Sequence, residues 1–381
     1  MTGAMYAAVS GLRSHMSALN VIGNNIANIN TNAYKASRYV FNEELYTNVK
    51  TGSNGTLTTG GTNPAQIGYG TNVGAVDIDM STKNYTPTGK PGDVTIDGDG
   101  FLLVGPKDLT FENNNDLKNL YLTRLGDLEV RADGYLCDHD GNVVYGWLEV
   151  EPENANGGGN NNGADVDPNK QPTVTSRILT PIRVPMLASN GDVVWPTEGD
   201  NTVDDPEVGD TVGNGTGGGA NNVTVTKRAI LNSFTINENG QLTGVVDETD
   251  KQIVVGYIAL GKVDNPNGVT HVDGRLYRAM DGAGDLSVFT MGEFENLPSD
   301  AKLDADNNGA GGAGGTTDRK NKYTIGSTKS TNLVPNGLES SGTELATEIS
   351  NMIMMQRGYQ ANTRIITVTD SMLEELVNIK R

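Results

Sequence analysis

MYAAVSGLRSHMSALNVIGNNIANI, Met5–Ile29, places Met5, Ala8, Leu12, His15, Leu19, Ile22, Ile26 and Ile29 at alternating steps of three and four. Only His15 interrupts the apolar stripe, and a stripe of that period is what a helix needs to wind against a partner. The spacing predicts a helix over Gly3–Ile29, capped by Thr2 and roughly 40 Å long at about 1.5 Å per residue. Asn28, Asn30 and Asn32, turn-forming amides, end it. The other end of the chain repeats the pattern, with Leu345, Ile349 and Met352 early and Ile365, Ile366, Met372, Leu373, Leu376 and Ile379 late. Ser341 and Glu344 read as a capping box, so the second helix is expected from near Gly342. Glu344 and Glu348 at its start and Lys380 and Arg381 at its end suit the helix dipole. A long lone helix has nowhere to bury such a stripe. The expected partner is the helix at the opposite end, and beyond it other copies of the same chain.

Between the helices the pattern is that of strands and turns. Strands are expected at Val76–Met80, Val94–Ile96, Phe101–Val104, Tyr121–Thr123, Leu128–Val130 and Val143–Trp147, and again at Ser233–Ile236, Gly244–Val246, Ile253–Leu260 and Arg275–Arg278. Asp99-Gly100, Asp133-Gly134 and Asp140-Gly141 separate several of them, the dipeptides of hairpin turns. The predicted fold class is therefore mainly β with paired terminal α-helices. Four parts are expected: terminal helices over 1–34 and 341–381, an extended linker over 35–72 and 319–340, a β-domain over 73–150 and 229–318, and an Asn/Gly-rich inserted outer β-domain over 151–228.

Composition narrows the function classes. The chain has 381 residues, enough for two or three domains, with 36% apolar and 6% aromatic residues, values that favour thin β-domains over one large core. Its 49 glycines fall mostly in Asn/Asp/Gly-rich stretches, which read as loops. A net charge of −19 argues against nucleic acid, whose phosphates need clustered Lys and Arg. The single cysteine, Cys137, rules out an internal disulfide and a cysteine-based zinc site; it reads as a small packed side chain or a reactive thiol. No run has the apolar length of a membrane span, so membrane insertion is not expected. The start, MTGAMYAAVSGLRSH, lacks a basic n-region, a dense apolar core and a cleavage site, so export without a cleavable signal peptide is the expected route if the protein leaves the cell.

Sites for chemistry are weak. Asp304, Asp306, Asn308 and Gly309 match the first half of a calcium loop, but the twelfth position is Gly315 and the bidentate Glu is missing. Asp138-His139-Asp140 offers metal donors, yet a hairpin turn accounts for it, as a turn accounts for Asp97-Gly98-Asp99-Gly100. His15, His139 and His271 are far apart in sequence and have no catalytic context. No nucleophile–base set, phosphate loop or dinucleotide fingerprint appears, so neither an enzyme nor a cofactor is expected. The first helix instead carries Asn20, Asn24, Asn25 and Asn28 beside the apolar seam, amides expected to bond between subunits rather than to face solvent. Arg357 and Arg364, one heptad apart, are placed to bond those amides or nearby carboxylates; exposed, they would contribute little.

SGLRSHMSALNVIGNNIANINTNAYKASR (Ser10–Arg38), densest at Asn20–Asn28 and followed by Thr31, Tyr34 and Lys35, resembles the N-terminal signature of the bacterial flagellar rod and hook family. EISNMIMMQRGYQANTRIITVTDSMLEELVNIKR (Glu348–Arg381), with Gln356-Arg357-Gly358-Tyr359-Gln360-Ala361-Asn362, is similar to its C-terminal signature. Pro91–Val104, Tyr121–Trp147 and Ile253–Val269 resemble the family's β-domain, so the likeness covers roughly two thirds of the chain in order. GGTNPAQIGYGTNV (Gly60–Val73) and the ending MLEELVNIK are most similar to hook members. The loop at 304–318 and the Asn/Gly-rich insert match nothing in that pattern.

The resemblance implies an axial structural subunit, without catalytic residues, that polymerises into a curved tube transmitting torque. It implies self-association and, as partners, flagellar rod, hook-cap and hook–filament junction proteins and the type III export apparatus, with an extracellular place in the flagellum. A rod subunit is the alternative within the family; a secreted glycine-rich surface protein with calcium-stiffened loops is the alternative outside it. The self-assembly residues expected on the first helix are Leu12, Leu19, Ile22 and Ile26 with Asn24, Asn25 and Asn28. On the second helix they are Ile349, Met352, Gln356, Arg357 and Tyr359, then Asn362, Ile366, Leu373 and Leu376.

Overall fold

Helix α1 (Gly3–Ala27) and helix α2 (Leu345–Ile379) bracket described residues that are mainly β-structure, the predicted fold class. The computed structural model describes residues 3–55, 60–109, 114–150, 174–175, 179–198, 203–214, 221–291, 325–328 and 331–379. The calcium-like stretch Asp304–Gly309 and the Asn156–Gly163 run lie outside them. The chain divides into two units, residues 1–80 with 341–381, and residues 81–340.

In the first unit the two helices pack on each other, and strands β1 (Ser37–Glu43), β2 (Tyr46–Lys50), β3 (Ala65–Gly68) and β4 (Thr71–Ile78) form two antiparallel ribbons, β1 with β4 and β2 with β3. The extended linker expected over 35–72 is thus a pair of hairpin-like ribbons, and it belongs with the helices. The β1–β4 ribbon lies on α1. Ser14 Oγ donates to the Thr71 carbonyl at 3.1 Å and Ser10 Oγ to that of Tyr69 at 3.3 Å. Gly70, at φ +120°, permits the approach, because a Cβ there would fall 3.1 Å from the Ala7 Cα. The β2–β3 ribbon is exposed on all its residues, including Val49 and Ile67.

α1 ends at Ala27 rather than Ile29, because the Asn28 side chain turns back to donate to the Asn24 carbonyl at 2.9 Å and offers its oxygen to Thr31 Oγ1. α2 begins at Leu345, and the expected Ser341–Glu344 capping box is replaced. Ser341 Oγ donates to the Asn28 carbonyl at 2.9 Å and accepts the Thr343 N–H, while Glu344 takes the hydroxyl of Thr347. The serine ties the start of α2 to the end of α1.

The second unit is a closed barrel of short strands. Phe101–Gly105 is buried at every position and pairs with Tyr121–Thr123, Val143–Val150 and Leu260–Val263, so its side chains serve a core on both faces. A meander from Leu231 to Ile258 and the strands Val269–Asp273, Leu276–Ala279 and Leu286–Met291 continue it. Asn332–Pro335 closes it on Asp93–Asp97, with Leu333 opposite Ile96. Ile325–Thr328 joins in parallel to Leu286–Met291, so two strands of the segment expected as a linker over 319–340 are barrel wall, while Gly337–Glu339 pairs with Tyr85–Pro87.

The stretch expected to stand apart as an insert, 151–228, is divided. Thr180–Pro181 pairs with Val143–Val150, and Ile182, Val184, Leu187, Trp195 and Val203 enter the same core as Leu102, Val144, Ile258 and Leu333. A small sheet of Met186–Ala188, Val193–Val194, Thr211–Asn214 and Asn221–Arg228 follows, with a minor core of Met186, Ala188, Val194 and Val225. Composition concealed this, because Gly/Asn-rich flanks surround the few apolar residues that reach the centre.

Candidate functional site

The α1–α2 contact holds most of the residues that the sequence marked for assembly. α1 and α2 run antiparallel: Gly11 faces Asn362, His15 faces Gly358, and Asn25 faces Glu348. The buried face of α1 is Ala8, Gly11, Ser14, Ala18, Ile22 and Asn25, so Ala8 and Ile22 of the predicted seam are buried together with small and polar residues outside it. Leu12, His15, Leu19 and Ile26 flank it, half-buried. Small residues win the centre because α1 is covered by α2 and by the β1–β4 ribbon, so its backbone must come close to both. Mid-helix glycine costs about 1 kcal/mol relative to alanine, which makes Gly11 and Gly358 the sequence signal for close approach that the apolar spacing hides. A Cβ on Gly358 would sit 2.7 Å from the ring of His15.

His15 is held by Nδ1 at 3.3 Å from the Met355 sulfur and by the Phe41 ring at 5.5 Å. Burial between apolar groups pushes its pKa below the ordinary value.

Asn25 is the most fully engaged of the marked residues. Its amide nitrogen donates to the Ser37 carbonyl at 2.8 Å and to Glu348 Oε1 at 3.1 Å, and its oxygen accepts the Ser37 N–H and the Tyr34 hydroxyl, both at 3.0 Å. Two donors and two lone pairs are all used, at 1% exposure. It locks α1 to α2 and to the start of β1. Burial, then repulsion from Glu348, raises the Tyr34 pKa. Of the other amides, Asn24 is exposed and donates to the Tyr34 hydroxyl, Asn28 closes the helix end, and Asn20 is exposed.

On α2 the marked residues divide. Met352, Tyr359, Asn362 and Ile366 are half-buried; Gln356 and Arg357 are exposed. Arg357 bonds Gln360 on its own helix at 3.4 Å, and neither it nor the exposed Arg364 reaches the α1 amides. Exposed apolar side chains recur along α2: Ile349 at 39%, Ile365 at 44%, Val368 at 52%, Met372 at 59% and Leu376 at 63%. From Ser371 to Ile379 every residue is exposed, Leu373 included, because the antiparallel register carries this end past the start of α1.

Asp138 elsewhere forms the expected turn, its carboxylate accepting the Asn142 backbone N–H at 2.9 Å and side-chain amide at 3.1 Å. Cys137 is buried and bonds the Tyr135 carbonyl. Among the described residues, no helix is long and apolar enough to cross a membrane.

Residues 5–35 match the family described as flagella basal body rod protein, and residues 335–379 match the flagellar basal body rod FlgEFG protein C-terminal family. The flagellar basal-body rod protein FlgG of Bacillus subtilis is 28% identical over 100% of both chains. The flagellar hook protein FlgE of Borreliella burgdorferi is 33% identical over 154 residues, 40% of this chain and 33% of that one. The chain thus spans the whole of that rod relative and about a third of that hook relative's length. A structure of the Helicobacter pylori flagellar hook protein FlgE2 aligns with a TM-score of 0.29 and 10% identity, over 53% of this chain and 95% of that one, too distant to bear on the fold.

Proposed function

We propose that this chain is a member of the flagellar rod and hook family and a structural subunit of the hook, polymerising into a curved helical tube that carries torque from rod to filament. The observation that carries self-assembly is the exposed apolar stripe of α2. Within one copy α1 covers one face of α2, while Ile365, Val368, Met372 and Leu376 stay in water. A row of that kind, on a helix of 35 residues, is a surface that other copies would cover. A contact made head to tail between unlike surfaces does not close and extends as an open helix of subunits. Torque transmission through such a tube is mechanical and needs no acid, base or nucleophile.

The hook reading draws support from the likeness of Gly60–Val73 and of the α2 ending to hook members, and from the hook relative's 33% identity. The rod reading has its own support, the end-to-end match with a rod protein at 28% identity. On the hook reading the neighbours are rod, hook-cap and hook–filament junction proteins, and the route is type III export. Electron microscopy of the purified, polymerised chain separates these readings. Curved tubes are expected; straight tubes favour the rod, and a chain that forms no polymer overturns both.

A further inference from the structure

We propose that Met354 and Met372 are oxidation sites on the assembly face of α2, and that converting them to sulfoxides stops a second copy of the chain from docking there. The inference rests on the self-assembly reading above and is the same for a hook or a rod. With 3.6 residues per turn, Met354, Ile365, Val368, Met372, Leu376 and Ile379 fall along one side of α2. All six stay in water in the single chain, Met354 at 61% and Met372 at 59% exposure. The side packed on α1 is a different one: Glu348 meets Asn25, the Met355 sulfur stands 3.3 Å from His15 Nδ1, and Asn362 lies on Gly11. Met354 and Met355, adjacent in sequence, thus serve different partners, Met355 its own chain and Met354 the outer face.

Methionine suits such a face, because its unbranched, polarisable side chain adapts to an apolar partner. Its thioether is also the group on this line that a peroxide alters. The sulfur lone pair attacks one oxygen of hydrogen peroxide, and an S–O bond forms as the O–O bond breaks. The sulfur is oxidised by two electrons; the other oxygen takes the proton of the transferred one and leaves as water. The product is a polar sulfoxide. In the free chain its oxygen is hydrated, since both side chains are exposed. Against the apolar face of another copy it meets no donor, and burying it unpaired opposes association. The two sites stand about five turns apart, so oxidation interrupts the line at two separate points. Met186 and Met291 are buried in the second unit. Met16, on α1, and Met280, in the second unit, are exposed without belonging to this line, and serve as internal controls.

The test treats the full-length monomer with dilute hydrogen peroxide, locates the added oxygens by peptide mass spectrometry, and measures the concentration at which polymer begins to sediment. Oxidised wild type is expected to need at least about tenfold more protein to polymerise, with the monomer's helix signal unchanged. A double variant, Met354→Leu with Met372→Leu, keeps Met16 and Met280; it is expected to polymerise like untreated wild type with or without peroxide. In preformed wild-type polymer, Met354 and Met372 are expected to oxidise more slowly than in the monomer. Oxidised wild type that polymerises normally, or a double variant that peroxide still blocks, overturns the inference. So does oxidation of Met354 and Met372 in the polymer at the monomer's rate. An untreated chain that forms no polymer removes the self-assembly reading itself, and this inference with it.

Discussion

The Asn362 amide rests on the bare backbone of Gly11: a Cβ at Gly11 would stand 2.7 Å from Asn362 Nδ2 and 3.2 Å from its Cγ. The glycine in one helix and the amide in the other set how closely the two axes approach, and Gly358 with His15 repeats the arrangement in reverse, glycine on α2 and side chain on α1.

Gly11→Leu is expected to destabilise the helix pair by about 1–3 kcal/mol, overpacking outweighing the better helix propensity of leucine. Thermal unfolding followed at a helix-sensitive wavelength checks it. A melting point equal to or above wild type would mean that the helices do not meet at this register.

Asn25→Asp replaces a donor with a carboxylate facing Glu348 Oε1 across 3.1 Å and loses the bond to the Ser37 carbonyl. A loss of at least about 2 kcal/mol is expected near neutral pH, recovering in part as pH falls and the facing carboxyls share a proton that can be donated again. Urea unfolding across that range reads it. A pH-independent loss would show that the Glu348 contact does not matter.

His15 gives the helix pair its own pH dependence. Burial holds its folded-state pKa below the ordinary 6.5, so the unfolded chain takes up the proton first. The stabilisation is therefore complete above about pH 6.5 and declines as pH falls through that value toward the folded pKa. His15→Gln should flatten this slope, which unfolding midpoints from about pH 8 to 5 would register; an unchanged slope assigns it to another group.

Leu376→Asp is expected to block polymerisation while leaving the monomer's stability within about 0.5 kcal/mol of wild type, because Leu376 is 63% exposed in the single chain. Ile22→Asp, at 7% exposure, should also block it, but by costing the helix pair several kcal/mol. Sedimentation for assembly and unfolding for stability tell the two apart. Normal tubes from Leu376→Asp would remove the α2 ending from the interface.

Deleting 151–228 behind a short linker, which the composition invites, is expected to unfold the barrel unit. It takes Ile182, Val184, Leu187, Trp195 and Val203 from the core, each worth a few kcal/mol against a total stability of about 5–15 kcal/mol. Exchange protection at Leu260–Val263 measures the outcome; a protected barrel in the deletion would return the insert to the surface.

The sequence by itself determined the two helices, the β character between them and the hairpin turns at Asp133-Gly134 and Asp140-Gly141, because helix period and turn dipeptides are local properties. It also carried the terminal motifs of the rod and hook family. Tertiary structure alone decided which face of α1 is buried. The apolar stripe named Ala8 and Ile22, which are buried, but also Leu12, Leu19 and Ile26; with α2 and the β1–β4 ribbon both covering α1, close approach favours Gly11, Ser14 and Ala18 instead. Asn25 was marked for a bond between subunits, whereas its partners Ser37, Tyr34 and Glu348 are in its own chain and depend on a chain reversal and on the far terminus, which no window of sequence contains. The division of 151–228 was hidden for the same physical reason. A few apolar residues among glycines and asparagines become core only when strands from distant parts of the chain close around them.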